Sequence, residues 1–247
     1  MAYKHGHFVW FELITPEIDK GTSFYPAVVG WGTQAVDMGA FQYNMLTQGE
    51  TPQCGVVNAQ MEGVPPQWSS YLSVADVDQK AKDVVAAGGK LIVPGTDIPT
   101  VGRFALVADP EGATFNLFKA ATGDDNAPTG VHWNELWAKD GAASAAFYAK
   151  VFGFDVETME MPQGPYHVLK SGDEMVAGIM TSTQEKAPSM WLPYLAVEDC
   201  DAATGRATEH GATVHMEPMS VPGVGRFSIF ADNVGAVVGV IKPESHA

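Results

Sequence analysis

Two short words, WFEL at 10–13 and WNEL at 133–136, each place a glutamate two residues beyond a tryptophan. Residues i and i+2 of a strand share a face, so Trp10 accompanies Glu12 and Trp133 accompanies Glu135. A carboxylate facing apolar rings is pushed toward its neutral form and becomes a candidate general base, suited to removing a proton beside a carbonyl. It could instead be an anchor. A buried charge needs a partner, and the repeated VGRF words supply Arg103 and Arg226. A third use is metal binding, with Glu12, Glu135 and His167 as the donors of a displaced site. Tyr43 and Tyr166 could offer phenolic hydrogen bonds to a ligand, and they suit half-buried sheet positions equally well. His5, His7 and His246 sit near the termini and suggest no site.

The elements that position these residues come in duplicate. A constant offset of 123 residues pairs Trp10 with Trp133, Glu12 with Glu135 and Phe24-Tyr25 with Phe147-Tyr148. It also pairs Tyr43 with Tyr166, Gly55 with Gly178, Trp68 with Trp191, Tyr71 with Tyr194 and Asp109 with Asp232. No gap is needed, so the chain is a duplicated domain. The expected boundaries are 1–119 and 131–247. The small, polar, Gly/Pro-bearing stretch AATGDDNAPTG at 120–130 reads as an exposed linker.

Inside each copy the apolar period switches in a fixed order. HFVWFELI alternates as a strand, with Val9, Phe11 and Leu13 on one face and Trp10, Glu12 and Ile14 on the other. A helix is expected after Thr15, with Pro16 in its first turn, Phe24, Tyr25 and Val28 on one stripe, and Gly30 as its stop. Three short strands follow near 33–38, 41–47 and 54–60. The pattern then restarts at WSSYLSV. Each copy is thus two β-α-β-β-β units, and the chain holds four.

Composition narrows the function classes. Hydrophobic residues make up 46% and charged ones 17% of the 247, which describes a globular chain. Acidic residues outnumber basic ones 29 to 14, and a net charge of -15 repels phosphate backbones, so nucleic-acid partners are not expected. The scattered basic residues form no cluster for an anionic membrane, and no stretch reaches the length of a membrane span. Cys54 and Cys200 occupy non-corresponding positions without a CxxC or HxxC neighbour. Neither a disulfide framework nor structural zinc is expected, and a cytoplasmic location fits best.

FYPAVVGW and FYAKVFGF after the first helix, YLSVADVD and YLAVEDCD opening the second unit, and ADPEGATFNLF and ADNVGAVVGVI at the end carry a resemblance. They are similar to the vicinal oxygen chelate superfamily of glyoxalase I, bleomycin-resistance proteins and extradiol dioxygenases, and more narrowly to its tandem-domain bacterial glyoxalase-like members. The resemblance implies an α+β fold: two tandem glyoxalase-like domains whose four βαβββ units form curved mixed sheets, with helices outside. It also implies four metal-ligand positions per copy, normally His, Gln or Glu. In this sequence they fall at Trp10, Gly55, Ser69 and Asn116, and at Trp133, Gly178, Leu192 and Gly239. Tryptophan offers no lone pair for a metal and glycine no side chain. No metal site and no cofactor are therefore expected, with a divalent ion as the alternative.

What the resemblance leaves is an aromatic cup in each copy. Its expected ligand-binding residues are Trp10, Tyr71, Asn116, Phe118, Trp133, Trp137, Tyr166 and Tyr194. Three functions stay open: metal-independent binding of a small apolar or aromatic molecule; a lyase, isomerase or hydroxylase-like reaction on a dicarbonyl or polyketide-like substrate, with Glu12 or Glu135 as base; and a degenerate structural or partner-binding scaffold. The expected assembly is a monomer with an internal pseudo-dyad, or a homodimer.

Overall fold

A computed structural model describes residues 3–39, 42–59, 63–124, 128–184 and 187–244. His246 and three residues of the connecting stretch, 125–127, lie outside the described residues.

The first module runs β1 (Phe8–Ile14), α1 (Ile18–Val29), β2 (Gly32–Asp37), β3 (Gln42–Gln48) and β4 (Thr51–Val57). The second runs β5 (Gln67–Ser73), α2 (Val77–Ala86), β6 (Lys90–Ile98), β7 (Gly102–Ala108) and β8 (Thr114–Ala120). The third runs β9 (Val131–Ala138), α3 (Gly141–Phe152), β10 (Asp155–Met161), β11 (Gly164–Ser171) and β12 (Glu174–Thr181). The fourth runs β13 (Met190–Ala196), α4 (Cys200–Glu209), β14 (Thr213–Val221), β15 (Gly225–Ala231) and β16 (Val237–Pro243). Four βαβββ modules in an α+β fold are what the repeating periods predict.

The strands form two eight-stranded sheets, ordered β2-β3-β4-β1-β5-β8-β7-β6 and β10-β11-β12-β9-β13-β16-β15-β14. Within each module the first strand lies parallel to the last, and the other pairs are antiparallel. Glu12 stands opposite Gly55 and Glu135 opposite Gly178 in this parallel register. The face of β1 opposite Glu12 is the buried one, with Val9, Phe11 and Leu13 at 5%, 3% and 0% exposure.

Compact packing regroups the modules. One unit comprises Met1–Val9, Ser70–Ala127 and Trp133–Trp191, and the other Trp10–Ser69, Pro128–His132 and Leu192–Ala247. In the first unit α2 and α3 meet, and Leu72, Val84, Phe115, Leu136, Tyr148 and Trp191 belong to one core. In the second, α1 meets α4, and Phe24 lies edge-on to Phe230, with centroids 6.1 Å apart.

Two local expectations need correction. Pro16 is not in the first turn of α1, because the Thr15 hydroxyl accepts the Glu17 N–H at 3.0 Å and the helix starts at Ile18. At the matching place in the third module Asp140 caps α3, accepting from Ala143 N–H at 3.0 Å. In the connecting stretch Ala121, Thr122 and Thr129 are exposed as expected, but two positions are tied down. Asp124 is buried, accepting from the Ser73 hydroxyl at 2.6 Å and the Lys4 amide at 2.8 Å, while the Gly130 amide donates to Gln53 at 2.6 Å. Both α1 and α3 end as expected, on left-handed Gly30 and Gly153 (φ 74° and 76°), a conformation without steric cost only for glycine.

Candidate functional site: a duplicated tryptophan–tyrosine–glutamate chain

The structure joins residues that the sequence lists separately. The Trp10 indole donates to the Tyr43 hydroxyl at 2.9 Å, and Tyr43 donates to Glu12 Oε1 at 2.7 Å. In the other copy Trp133 donates to Tyr166 at 2.9 Å, and Tyr166 to Glu135 Oε1 at 2.8 Å. Trp137 adds a fourth member, its indole donating to Glu135 Oε2 at 2.7 Å. The matching residue in the first copy is Ile14, which carries no donor.

Glycine makes these chains possible. A Cβ on Gly55 would lie 2.1 Å from the Tyr43 hydroxyl, and one on Gly178 would lie 1.9 Å from that of Tyr166. The phenol of β3 or β11 therefore crosses the place where a fourth-strand side chain would stand, and meets the glutamate on the first strand. Burial and the Glu135 charge together hold the Tyr166 phenol well above the ordinary tyrosine range, so it stays a donor. Tyr43 and Tyr166 thus direct their hydroxyl hydrogen bonds to the protein's own glutamates.

The arginine anchors expected for the glutamates are engaged elsewhere. Arg103 grips Asp78 through two bonds of 2.9 and 3.0 Å and pairs with Asp97 at 2.9 Å. Arg226 does the same with Asp201 through Nε and Nη2, at 2.5 and 2.6 Å. Both sit half-exposed at the head of β7 or β15, where the second residue of α2 or α4 supplies the acid they meet. His167 leaves the proposed displaced metal site too. It follows Tyr166 on β11, so it faces the other way; it bonds Thr158 at 2.9 Å and lies toward Gly141 of α3.

The remaining predicted residues fall into two groups. In one unit Tyr71 is buried edge-on to Phe118, with centroids 5.8 Å apart, and stands opposite buried Asn116. In the other, Tyr194 is edge-on to Phe227 at 5.9 Å and its ring covers Gly239, 2.3 Å from where a Cβ would be. Trp10, Trp133 and Trp137 are half-buried. His7 pairs with Glu174 at 2.8 Å, and His5 bonds Ser73 at 3.2 Å, fastening the N-terminal segment.

The family's divalent ion finds a poor set of donors on these faces. Its positions carry indole, glycine, leucine, one amide (Asn116) or one hydroxyl (Ser69), and a tyrosine hydroxyl fills the space over Gly55 and Gly178. Among the described residues no three His, Cys, Asp or Glu side chains gather in a metal-holding group.

A second duplicated chain escaped the sequence reading. Trp68 donates to Tyr25 at 3.2 Å, and Tyr25 donates to Asp232 at 2.7 Å. Likewise Trp191 donates to Tyr148 at 3.1 Å, and Tyr148 to Asp109 at 3.2 Å. All six residues had been matched by the offset. What was hidden is that each acid comes from the opposite copy.

Tandem βαβββ modules, with a first strand parallel to a fourth, define the glyoxalase-like fold. Comparison with known proteins is consistent with that geometry: a Glyoxalase-like domain model matches residues 9–118, and the Glyoxalase/Bleomycin resistance protein/Dioxygenase superfamily model matches 130–240. This chain belongs to that superfamily, the vicinal oxygen chelate proteins. It is 35% identical over 252 residues to a provisionally named glyoxylase, CFP32, of Mycobacterium tuberculosis (strain CDC 1551 / Oshkosh), covering 98% of this chain and 96% of the relative. It is 30% identical to the anthracycline biosynthesis protein DnrV of Streptomyces peucetius, covering 94% and 92%. Among solved structures, the 2,3-dioxygenase LapB from Pseudomonas sp. KL28 aligns with TM-score 0.67 at 13% identity, covering 100% and 95%. The Mn(II)-bound glyoxalase from Novosphingobium aromaticivorans gives 0.67 at 16%, covering 98% and 86%. At such identities the two structures share the fold alone. No helix among the described residues is long and apolar enough to cross a membrane.

Proposed function

We propose that this chain is a metal-independent glyoxalase-like protein that binds a small, flat, aromatic molecule on the sheet faces carrying Glu12 and Glu135. The observation that carries this reading is the tyrosine hydroxyl lying over Gly55 and Gly178, beside tryptophan at the first-strand position. Hydrogen-bonded aromatics replace the ion-binding groups there, and a wall of rings with a few polar tips suits a planar organic ligand. The relatives named for anthracycline biosynthesis support a fused-ring compound as the ligand class.

The test combines elemental analysis with tryptophan fluorescence. Protein purified without added metal carries far less than one divalent ion per chain, and a hydroxylated fused-ring probe such as 1,8-dihydroxyanthraquinone quenches its fluorescence saturably, before and after chelation. Stoichiometric, tightly held zinc, nickel or iron overturns the metal-free reading. No response across a panel of such aromatics overturns the ligand class.

The relative with a glyoxylase name, and the phenol poised on each carboxylate, favour a second reading: a lyase, isomerase or hydroxylase-like enzyme acting on a dicarbonyl or polyketide-like substrate, with Glu12 or Glu135 taking the proton. Glu12→Gln and Glu135→Gln separate the two. A binder loses roughly tenfold in affinity with each lost charge-assisted bond. An enzyme loses turnover while still holding its ligand.

A further inference from the structure

The two glutamates are alike in sequence and unlike in setting. Glu135 is 7% exposed and accepts hydrogen bonds on both oxygens, from Tyr166 at 2.8 Å on Oε1 and from Trp137 at 2.7 Å on Oε2. The indole nitrogen can only donate, and the Tyr166 oxygen, already accepting from Trp133 at 2.9 Å, turns its O–H toward Glu135 Oε1. Donors on both oxygens fix the rotation of a carboxylate and favour its charged form. The donor on Oε2 exists because residue 137 shares a strand face with residue 135 and is tryptophan where the first copy has Ile14.

We propose that Trp137 is a positioning residue of the second copy: it acts through Glu135, holding that carboxylate as an oriented anion, and is not merely one more ring lining the face. This rests on the ligand-binding reading above and deepens it. A fixed anion among rings recognises an aromatic molecule that offers a hydrogen-bond donor, a phenolic or enolic O–H, and discriminates against its methyl ether. A site that hydrogen-bonds a hydroxyl rejects the analogue lacking it far more strongly than an apolar wall does.

The experiment uses the full chain with Trp137→Phe, Glu135→Gln and the double variant. The phenylalanine keeps a ring at position 137 and removes only the N–H donor and part of the area. One readout needs no ligand: the Trp137 indole N–H resonance of 15N-labelled protein, followed against pH. It titrates in the wild type and stops titrating in Glu135→Gln. The second readout is affinity for 2,6-dihydroxyanthraquinone, whose hydroxyls lie too far from the ring carbonyls to donate to them, against its dimethyl ether. Trp137→Phe weakens the hydroxylated probe about tenfold and the ether little, moves the acid limb of the binding profile to higher pH, and adds nothing to Glu135→Gln in the double variant. A Trp137 resonance indifferent to Glu135, or Trp137→Phe and Glu135→Gln losses that simply add, overturns the proposal even if the probe binds. Failure of the wild type to bind any probe, with the resonance still coupled to Glu135, overturns the ligand-binding reading and leaves the positioning role standing.

Discussion

The molecule builds a tryptophan–tyrosine–carboxylate chain four times, in two settings. On the sheet faces, Trp10–Tyr43–Glu12 and Trp133–Tyr166–Glu135 draw all three residues from one copy, and their tryptophans are half-buried. In the interior, Trp68–Tyr25–Asp232 and Trp191–Tyr148–Asp109 draw the acid from the other copy, and every member is buried. The interior acids also hold a turn. Asp109 Oδ1 accepts from the Glu111 and Ala113 amides, both at 2.9 Å, and Asp232 Oδ1 accepts from Val234 and Ala236 at 3.0 and 2.9 Å. The same three side-chain types therefore serve as architecture where backbone amides occupy the acid's other oxygen. On the half-buried sheet faces, where the proposed ligand would bind, no backbone turn hangs on the described bonds of the glutamates.

The largest effect expected from this contrast is on stability. Tyr25→Phe or Tyr148→Phe leaves a buried indole without its acceptor and takes the side-chain donor from a buried carboxylate, costing about 2–3 kcal/mol for each variant. Calorimetry should show Tm falling by roughly 5 °C or more while probe binding persists; binding loss without a Tm change would merge the two settings into one. Next comes Gly178→Ala, whose new methyl must push the Tyr166 hydroxyl aside. The expected cost is about 1–3 kcal/mol, with loss of the Tyr166–Glu135 bond and of the aromatic probe. A third test is pH. Burial raises the Asp109 and Asp232 carboxyls above the ordinary aspartate range. A raised carboxyl in the folded state means that the fold binds more protons than the unfolded chain between the two pKa values. The contribution of these groups is thus full below the ordinary value and lost as pH rises through the raised one. Asp109→Asn and Asp232→Asn should flatten that descending slope; an unchanged profile would remove the acids from the account. The smallest effect belongs to Arg103→Gln and Arg226→Gln, exposed pairs screened by solvent, for which a Tm within experimental scatter of wild type is expected.

How much of this could be read from the chain differs by residue. The duplication and the four modules were plain, because apolar alternation and Gly30 or Gly153 stops are local signals. The face carrying Glu12 was also legible, since strand alternation leaves no choice once Val9, Phe11 and Leu13 are buried. What each glutamate touches was not. Tyr43 and Glu12 are neighbours only through the β1–β4 and β3–β4 registers, and a register follows from where three strands start. Gly55 opposite Glu12, with a recurring tyrosine one strand further on, is the available clue: an absent side chain marks room for a crossing ring as well as a lost metal ligand. Arg103 carries no local sign of its partner, because Asp78 at the head of α2 reaches the head of β7 only through the packing of helix on sheet. The crossed origin of Asp109 and Asp232 was beyond reach, as equal offsets cannot distinguish a contact within a copy from one between copies.

The division of the chain into interleaved compact units sets an order of assembly during synthesis. The unit ending at Trp191 has all its segments once that residue is made, whereas the unit that includes Trp10–Ser69 lacks its last segment until Leu192–Ala247 emerge. The earliest-made strands therefore wait longest for their core, with Phe24 and Tyr25 lacking Phe230 and Asp232 throughout. Pairings of such long sequence separation are slow to close and leave apolar surface open in the interval. A ribosome stalled beyond residue 191 should carry one finished unit and one protease-sensitive end.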